Sequence, residues 1–198
     1  MAISRLSDAS IQDGLPKFDN LWDGVTAVGS MELIRTTRLT ASSSSVEFNN
    51  IPGTYSHLQI RGTLRNTVTG TGSLDLHMRF NSDSGSNYRA YKQLSGDGAN
   101  AVVAASGLTT EIANAHFLKD GNTANIYSAW ICDILDYANT NKNKVTRSLN
   151  GQDLNGSGHI KFLSGLWINT SAITSIRLTV EGSNNFKEHS SFSLYGIK

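Results

Sequence analysis

Residues 74–80, Leu-Asp-Leu-His-Met-Arg-Phe, carry an apolar side chain at every second position, with Asp75, His77 and Arg79 between them. Strand side chains alternate faces with a period of two, so Leu74, Leu76, Met78 and Phe80 form one buried face and the pattern predicts a half-buried antiparallel strand. The run Asn81-Ser82-Asp83-Ser84-Gly85-Ser86-Asn87 has the composition of a turn and ends it. The same grammar recurs. Residues 57–65 set Leu58, Ile60, Gly62 and Leu64 on one side, and His57, Gln59, Arg61 and Arg65 on the other. Gly70-Thr71-Gly72-Ser73 joins these two segments, which predicts that they form an antiparallel hairpin. Further strands are predicted at 46–48, 88–94, 126–135, 145–149, 159–168, 173–181 and 191–197, with a turn over 151–158 and a solvated loop at 139–144. Residues 126–135 are almost continuously apolar and read as a central strand with Trp130 as its core anchor. Residues 99–125 hold no clear period and read only as a mixed connection of strand or short helical turn.

About eight to nine strands is the number that a jelly roll needs. The predicted fold is therefore all-β, an antiparallel two-sheet β-sandwich of jelly-roll-like form spanning residues 31–198, with an extended N-terminal arm at residues 1–30. In that first stretch Ile3, Leu6, Ile11, Leu15, Phe18, Leu21, Trp22, Val25 and Val28 follow no period, and Gly14-Leu15-Pro16 and Asp23-Gly24 break any helix. Such a segment cannot bury its own apolar groups. It either straps across the domain's own sheet or docks on another subunit or a larger assembly. The second reading is preferred, with Ile3, Leu6, Ile11, Leu15, Pro16, Phe18, Leu21 and Trp22 as the assembly interface.

Composition narrows the partners. With 198 residues the chain is long enough for a real core, and chains of this size bury roughly 70% of their unfolded surface. Lys and Arg number 17 against 16 Asp and Glu, and they are interspersed, so the basic footprint of a nucleic-acid binder is missing. The single cysteine, Cys132, lies in an apolar run, which predicts a buried, unreactive thiol and no disulfide within the chain. No apolar run approaches the roughly 18 residues of a membrane span, and the first residues lack the apolar core of a signal peptide. Neither membrane insertion nor export by that route is expected.

The search for chemistry finds little. The histidines His57, His77, His116, His159 and His189 are far apart and show no metal-ligand spacing, and His57 and His77 fall on outward polar positions. Asn81-x-Asp83-x-Gly85-x-Asn87 is rich in oxygen but has one carboxylate and no distal Glu, so it departs from a calcium loop. The Gly-x-Gly pairs lack the strand-to-helix setting and the Lys of a phosphate loop, and no Gly-x-Ser-x-Gly occurs. The expectation is a non-enzyme with no catalytic residue, no metal and no cofactor.

Four segments carry a resemblance. Residues 3–17, the run Ile51-Pro52-Gly53-Thr54-Tyr55-Ser56-His57-Leu58-Gln59-Ile60-Arg61, the segment from Arg79-Phe80-Asn81 to Asn87-Tyr88, and Phe192-Ser193-Leu194-Tyr195-Gly196-Ile197 resemble virion structural proteins of tailed bacteriophages, especially cyanophages. The likeness is strongest in the first half and adds little over 99–150. It implies a virion protein, assembled in the host cytoplasm, that docks through its N-terminal arm and presents the sandwich as a capsid decoration or tail-associated component. Other virion proteins would be its partners, and a homo-oligomer is expected, a trimer first because capsids and fibres carry three-fold positions. Two alternatives stand beside it. One is a receptor-binding tail-fibre or lectin-like module that stacks host surface glycans on Tyr88, Tyr91 or Tyr137, and the other is a glycan hydrolase.

Overall fold

The structure, a computed structural model, describes residues 30–98 and 101–198. Among these residues the strands are β1 (Met31–Arg38), β2 (Ser45–Phe48), β3 (His57–Leu64), β4 (Ser73–Phe80), β5 (Tyr88–Gly96), β6 (Ala101–Ala105) and β7 (Leu108–Thr109). There follow β8 (Ile112–Leu118), β9 (Ser128–Leu135), β10 (Lys144–Asp153), β11 (Gly158–Trp167), β12 (Ile176–Val180) and β13 (Ser191–Ile197). A single 3-10 turn occupies Glu181–Ser183.

Two antiparallel sheets make a sandwich. One runs β1-β13-β3-β9-β10-β11-β5-β6, with β7 also on β5, and the other runs β2-β12-β4-β8. Setting aside β5, β6, β7, β10 and β11 leaves eight strands. Counted along the chain, these pair as first-eighth-third-sixth and second-seventh-fourth-fifth, the strand order of a jelly roll. The five remaining strands enter as two insertions, and both extend the larger sheet on the same side, beyond β9. They form a wing.

The core follows from period-two alternation. In β12, Ile176, Leu178 and Val180 point inward, opposite Phe48 and Val46 of β2 on one flank and Phe80, Met78 and Leu76 of β4 on the other. Across the sandwich, Leu58, Ile60 and Leu64 of β3 are fully buried with Phe192 and Leu194 of β13. Trp130 is buried in β9, as predicted, and lies opposite Gly62 of β3. A Cβ at Gly62 would sit 3.3 Å from the Trp130 ring and 3.1 Å from the Ser191 carbonyl oxygen, so this glycine makes room for the indole.

Several expectations need correction. β3 and β4 do not form a hairpin but lie in different sheets. The link between them is stitched to a distant segment: Asn66 N–H donates to the Leu118 carbonyl, Asp120 N–H to that of Val68 and Gly121 N–H to that of Gly70. Residues 101–105, 108–109 and 112–118, left as a mixed connection, are strands, and Met31–Arg38, where no strand was predicted, is one as well. The 151–158 turn is tighter than predicted, because β10 and β11 pair from Lys144↔Trp167 down to Asp153↔Gly158. Arg65 is not on the outward face; it is 2% exposed and donates to the carbonyls of Asp120, Asn122, Thr123 and Ile126, fastening the loop that crosses this end. The 139–144 loop is likewise anchored, since the buried Lys144 ammonium donates to the carbonyls of Asn139, Lys142 and Thr170.

Candidate functional site

Strand β10 of the wing reverses the usual arrangement of polar and apolar residues. In β10 the buried positions are Lys144, Thr146, Ser148 and Asn150, while Val145, Arg147 and Leu149 face outward. The reason lies in β8, which is an edge strand of the smaller sheet and crosses the inner surface of the wing. An edge strand presents unpaired amide and carbonyl groups that must be satisfied when buried. Side chains of β9 and β10 do this. Ser148 Oγ donates to the Asn114 carbonyl at 2.5 Å, Asn150 Nδ2 donates to the His116 carbonyl at 2.7 Å, and Asn150 Oδ1 accepts from His116 N–H at 3.3 Å. Leu118 N–H donates to Ser128 Oγ at 3.1 Å. The close crossing also needs Gly165 in β11, where a Cβ would lie 2.4 Å from Ile112 Cγ2.

Beside these caps sits a line of ionisable groups. His116 Nε2–H donates to Asp75 Oδ1 at 2.7 Å, and His116 Nδ1 accepts from Lys161 Nζ at 2.7 Å. Burial pulls the Lys161 ammonium below its ordinary range, partly opposed by Asp75. His159 packs edge-on to His116 and accepts at Nδ1 from Gln152 Nε2 at 3.2 Å. Burial, with the nearby Lys161 charge, lowers His159 to about 4. These contacts hold the two imidazole rings against the sheet. The contacts of the two rings run to Asp75, Lys161 and Gln152, and they order the interlayer.

The outward face of the wing carries an apolar row. Cross-strand partners place Ile131 of β9 beside Leu149 of β10, Leu149 beside Phe162 of β11, Phe162 beside Leu94 of β5, and Leu94 beside Val103 of β6. This is a continuous apolar row across five strands. Leu149, Phe162, Leu94 and Val103 are 47%, 48%, 53% and 80% exposed, and Ile160 and Val145 lie on the same face. Toward the jelly roll the row meets polar residues: Asp133 accepts from Gln59 at 2.8 Å and from Arg147 at 2.9 Å, and Arg61 lies over the Tyr195 ring. An apolar patch bounded by polar groups is the usual mark of an interaction surface.

The predicted assembly residues Ile3, Leu6, Ile11, Leu15, Pro16, Phe18, Leu21 and Trp22 lie outside the described residues. Tyr88 and Tyr137, offered as glycan platforms, are corrected: both are fully buried. Tyr88 hydroxyl donates to the carbonyls of Phe80 and Asp83, and Tyr91 is half-buried. His77 is also less exposed than its outward position implies, because Nδ1–H donates to Glu111 at 2.6 Å. Against the opposing effect of burial, bonds from Trp167, Asn87 and the Gly85 amide hold Asp83 below the usual carboxylate range. Its oxygens are used to close the 81–87 loop. Cys132 is buried, and burial pushes its thiol far up, as expected of an inert group. Among the described residues no group of three or more His, Cys, Asp or Glu is placed to hold a metal ion, and no helix is long and apolar enough to cross a membrane.

No family model, no curated protein and no solved structure matches this chain.

Proposed function

We propose that this protein is a non-enzymatic structural component of a tailed-phage particle. In this reading residues 1–30 dock on the particle and the jelly roll is presented on its surface, as capsid decoration or as a tail-associated part. The observation that carries the reading is the outward apolar row from Ile131 to Val103, built at the cost of a polar interlayer, which suits a protein made to be covered by other protein. The jelly roll itself is a fold of capsid and lectin domains, and it fits this role without demanding it.

The test is location. Gold-labelled antibody on particles of the phage that encodes the chain should decorate a fixed position, head or tail. Recombinant full-length protein should co-sediment with particles lacking it, whereas residues 31–198 should fold and stay in the supernatant. Intact particles that never carry the label would end this reading. Loss of cooperative unfolding on deleting residues 1–30 would instead make that stretch a strap of the core.

A second reading has one observation in its favour. An open depression on the wing is lined by Tyr127, Gln152, Asp153 and His159, side chains of the kind that hold a sugar by stacking and hydrogen bonds. A glycan array probed with the full chain checks it, and a uniformly blank array removes it.

A further inference from the structure

The outermost strand of the wing has no pairing partner on its far side among the described residues: β6 bonds to β5, and the order of the sheet ends there. Two contacts show which groups are left over. Ser106 N–H donates to the Tyr91 carbonyl at 3.0 Å, and the Val102 carbonyl accepts from Ser95 Oγ at 3.4 Å, so residues 102, 104 and 106 turn their backbone groups toward β5. Backbone groups alternate sides along a strand, which leaves those of Ala101, Val103 and Ala105 aimed outward. The strand reads Ala-Val-Val-Ala-Ala, with no charge and no proline, and its pairing with β5 runs from Lys92↔Ala105 to Gly96↔Ala101 without a register shift. Among the described residues, the strand has no charge, proline or bulge of the kind that blunts an open edge.

We infer that β6 pairs antiparallel with β6 of a second copy of this chain, joining the two larger sheets across a two-fold axis. Self-pairing is favoured over a foreign strand by three features. First, an uncharged strand meets its own copy without like-charge repulsion, whereas edges that avoid self-association carry charges. Second, centring the two-fold axis on Val103 sets Val103 against itself and Ala101 against Ala105, and makes about six backbone hydrogen bonds from the groups now unpaired. Third, the apolar row continues. Phe162, Leu94 and Val103 of one copy run directly into Val103, Leu94 and Phe162 of the other, so two exposed half-rows become one. The outward charge nearest the edge, Lys92, lies opposite Ala105, and this register places it toward Gly96 of the second copy and away from the other Lys92.

Antiparallel pairing of a strand with its own copy requires a two-fold axis, so this contact cannot by itself build a trimer. The inference is independent of the virion reading and holds for the purified protein alone. Sedimentation of the full chain at micromolar concentration should show a dimer. Val103→Lys changes a side chain that is 80% exposed, so the far-ultraviolet spectrum and unfolding midpoint should be preserved. Its dimer dissociation constant should rise by about tenfold or more. Val103→Cys should give a disulfide-linked dimer on mild oxidation, since hydrogen-bonded antiparallel partners have Cα atoms about 5.5 Å apart, within disulfide reach. Wild type, with only the buried Cys132, should not cross-link. A monomeric wild type, an oligomer of any size unmoved by Val103→Lys, or a Val103→Cys variant that stays unlinked would overturn the inference.

Discussion

Replacing Asn150 by leucine tests the reason given for the polar interior of the wing, because two arguments predict opposite signs. Asn150 is 1% exposed, so hydrophobic transfer alone makes leucine the better residue there. Edge capping predicts the reverse. Asn150 satisfies both the carbonyl and the N–H of His116, at 2.7 and 3.3 Å, and leucine strands both in a buried layer. A buried polar group left unpaired costs about 1–3 kcal/mol, so two of them, less the gain in apolar burial, should destabilise the domain by about 2–4 kcal/mol. That is a large share of a typical stability of about 5–15 kcal/mol. Urea titration followed by tryptophan fluorescence reads it directly, since Trp130 and Trp167 are both buried. With a slope of about 1–3 kcal/mol per molar urea, the midpoint should fall by roughly 1–2 M. Ser148→Ala, which orphans one carbonyl, should cost about 1–2 kcal/mol, and the exposed Leu149→Thr should change stability by less than about 0.5 kcal/mol. An Asn150→Leu protein as stable as wild type, or more so, would refute the capping argument.

Trp130→Ala should cost about 3–5 kcal/mol by emptying a core site, and a loss under about 1 kcal/mol would contradict its packing against Gly62. Arg65→Met removes four charge-assisted bonds to carbonyls and should cost a similar 3–5 kcal/mol, with faster proteolysis in the 119–127 loop as the local readout. His159 supplies a pH signature. Its folded value of about 4 lies below the ordinary 6.5, so as pH falls the unfolded chain takes the proton first and stability drains between about 6.5 and about 4. Urea midpoints at the two ends of that window should differ more for wild type than for His159→Gln, and equal differences would remove His159 as the cause.

The sequence by itself determined the fold class and most of the strands, though not β1 or the three strands between residues 101 and 118. Period-two alternation in 57–64, 74–80 and 176–180 depends only on which residues are apolar, and the buried faces found there are those that the pattern implies. Trp130 and Cys132 were legible as buried because they lie in a nearly continuous apolar run, although β9 turns Ala129, Ile131 and Asp133 outward. Pairing was not legible. Whether β3 bonds to β4 or to β9 and β13 is decided by contacts distant in sequence, here the stitching of the 65–72 link to residues 118–121. The candidate surface was hidden more deeply. Residues 145–150 alternate Val, Thr, Arg, Ser, Leu and Asn, and alternation says that the two faces differ without saying which is inside. That choice was made by the open edge of β8, whose amide and carbonyl groups needed Ser148 and Asn150 beneath them and so turned Leu149, with Phe162 and Leu94 beside it, toward the outside.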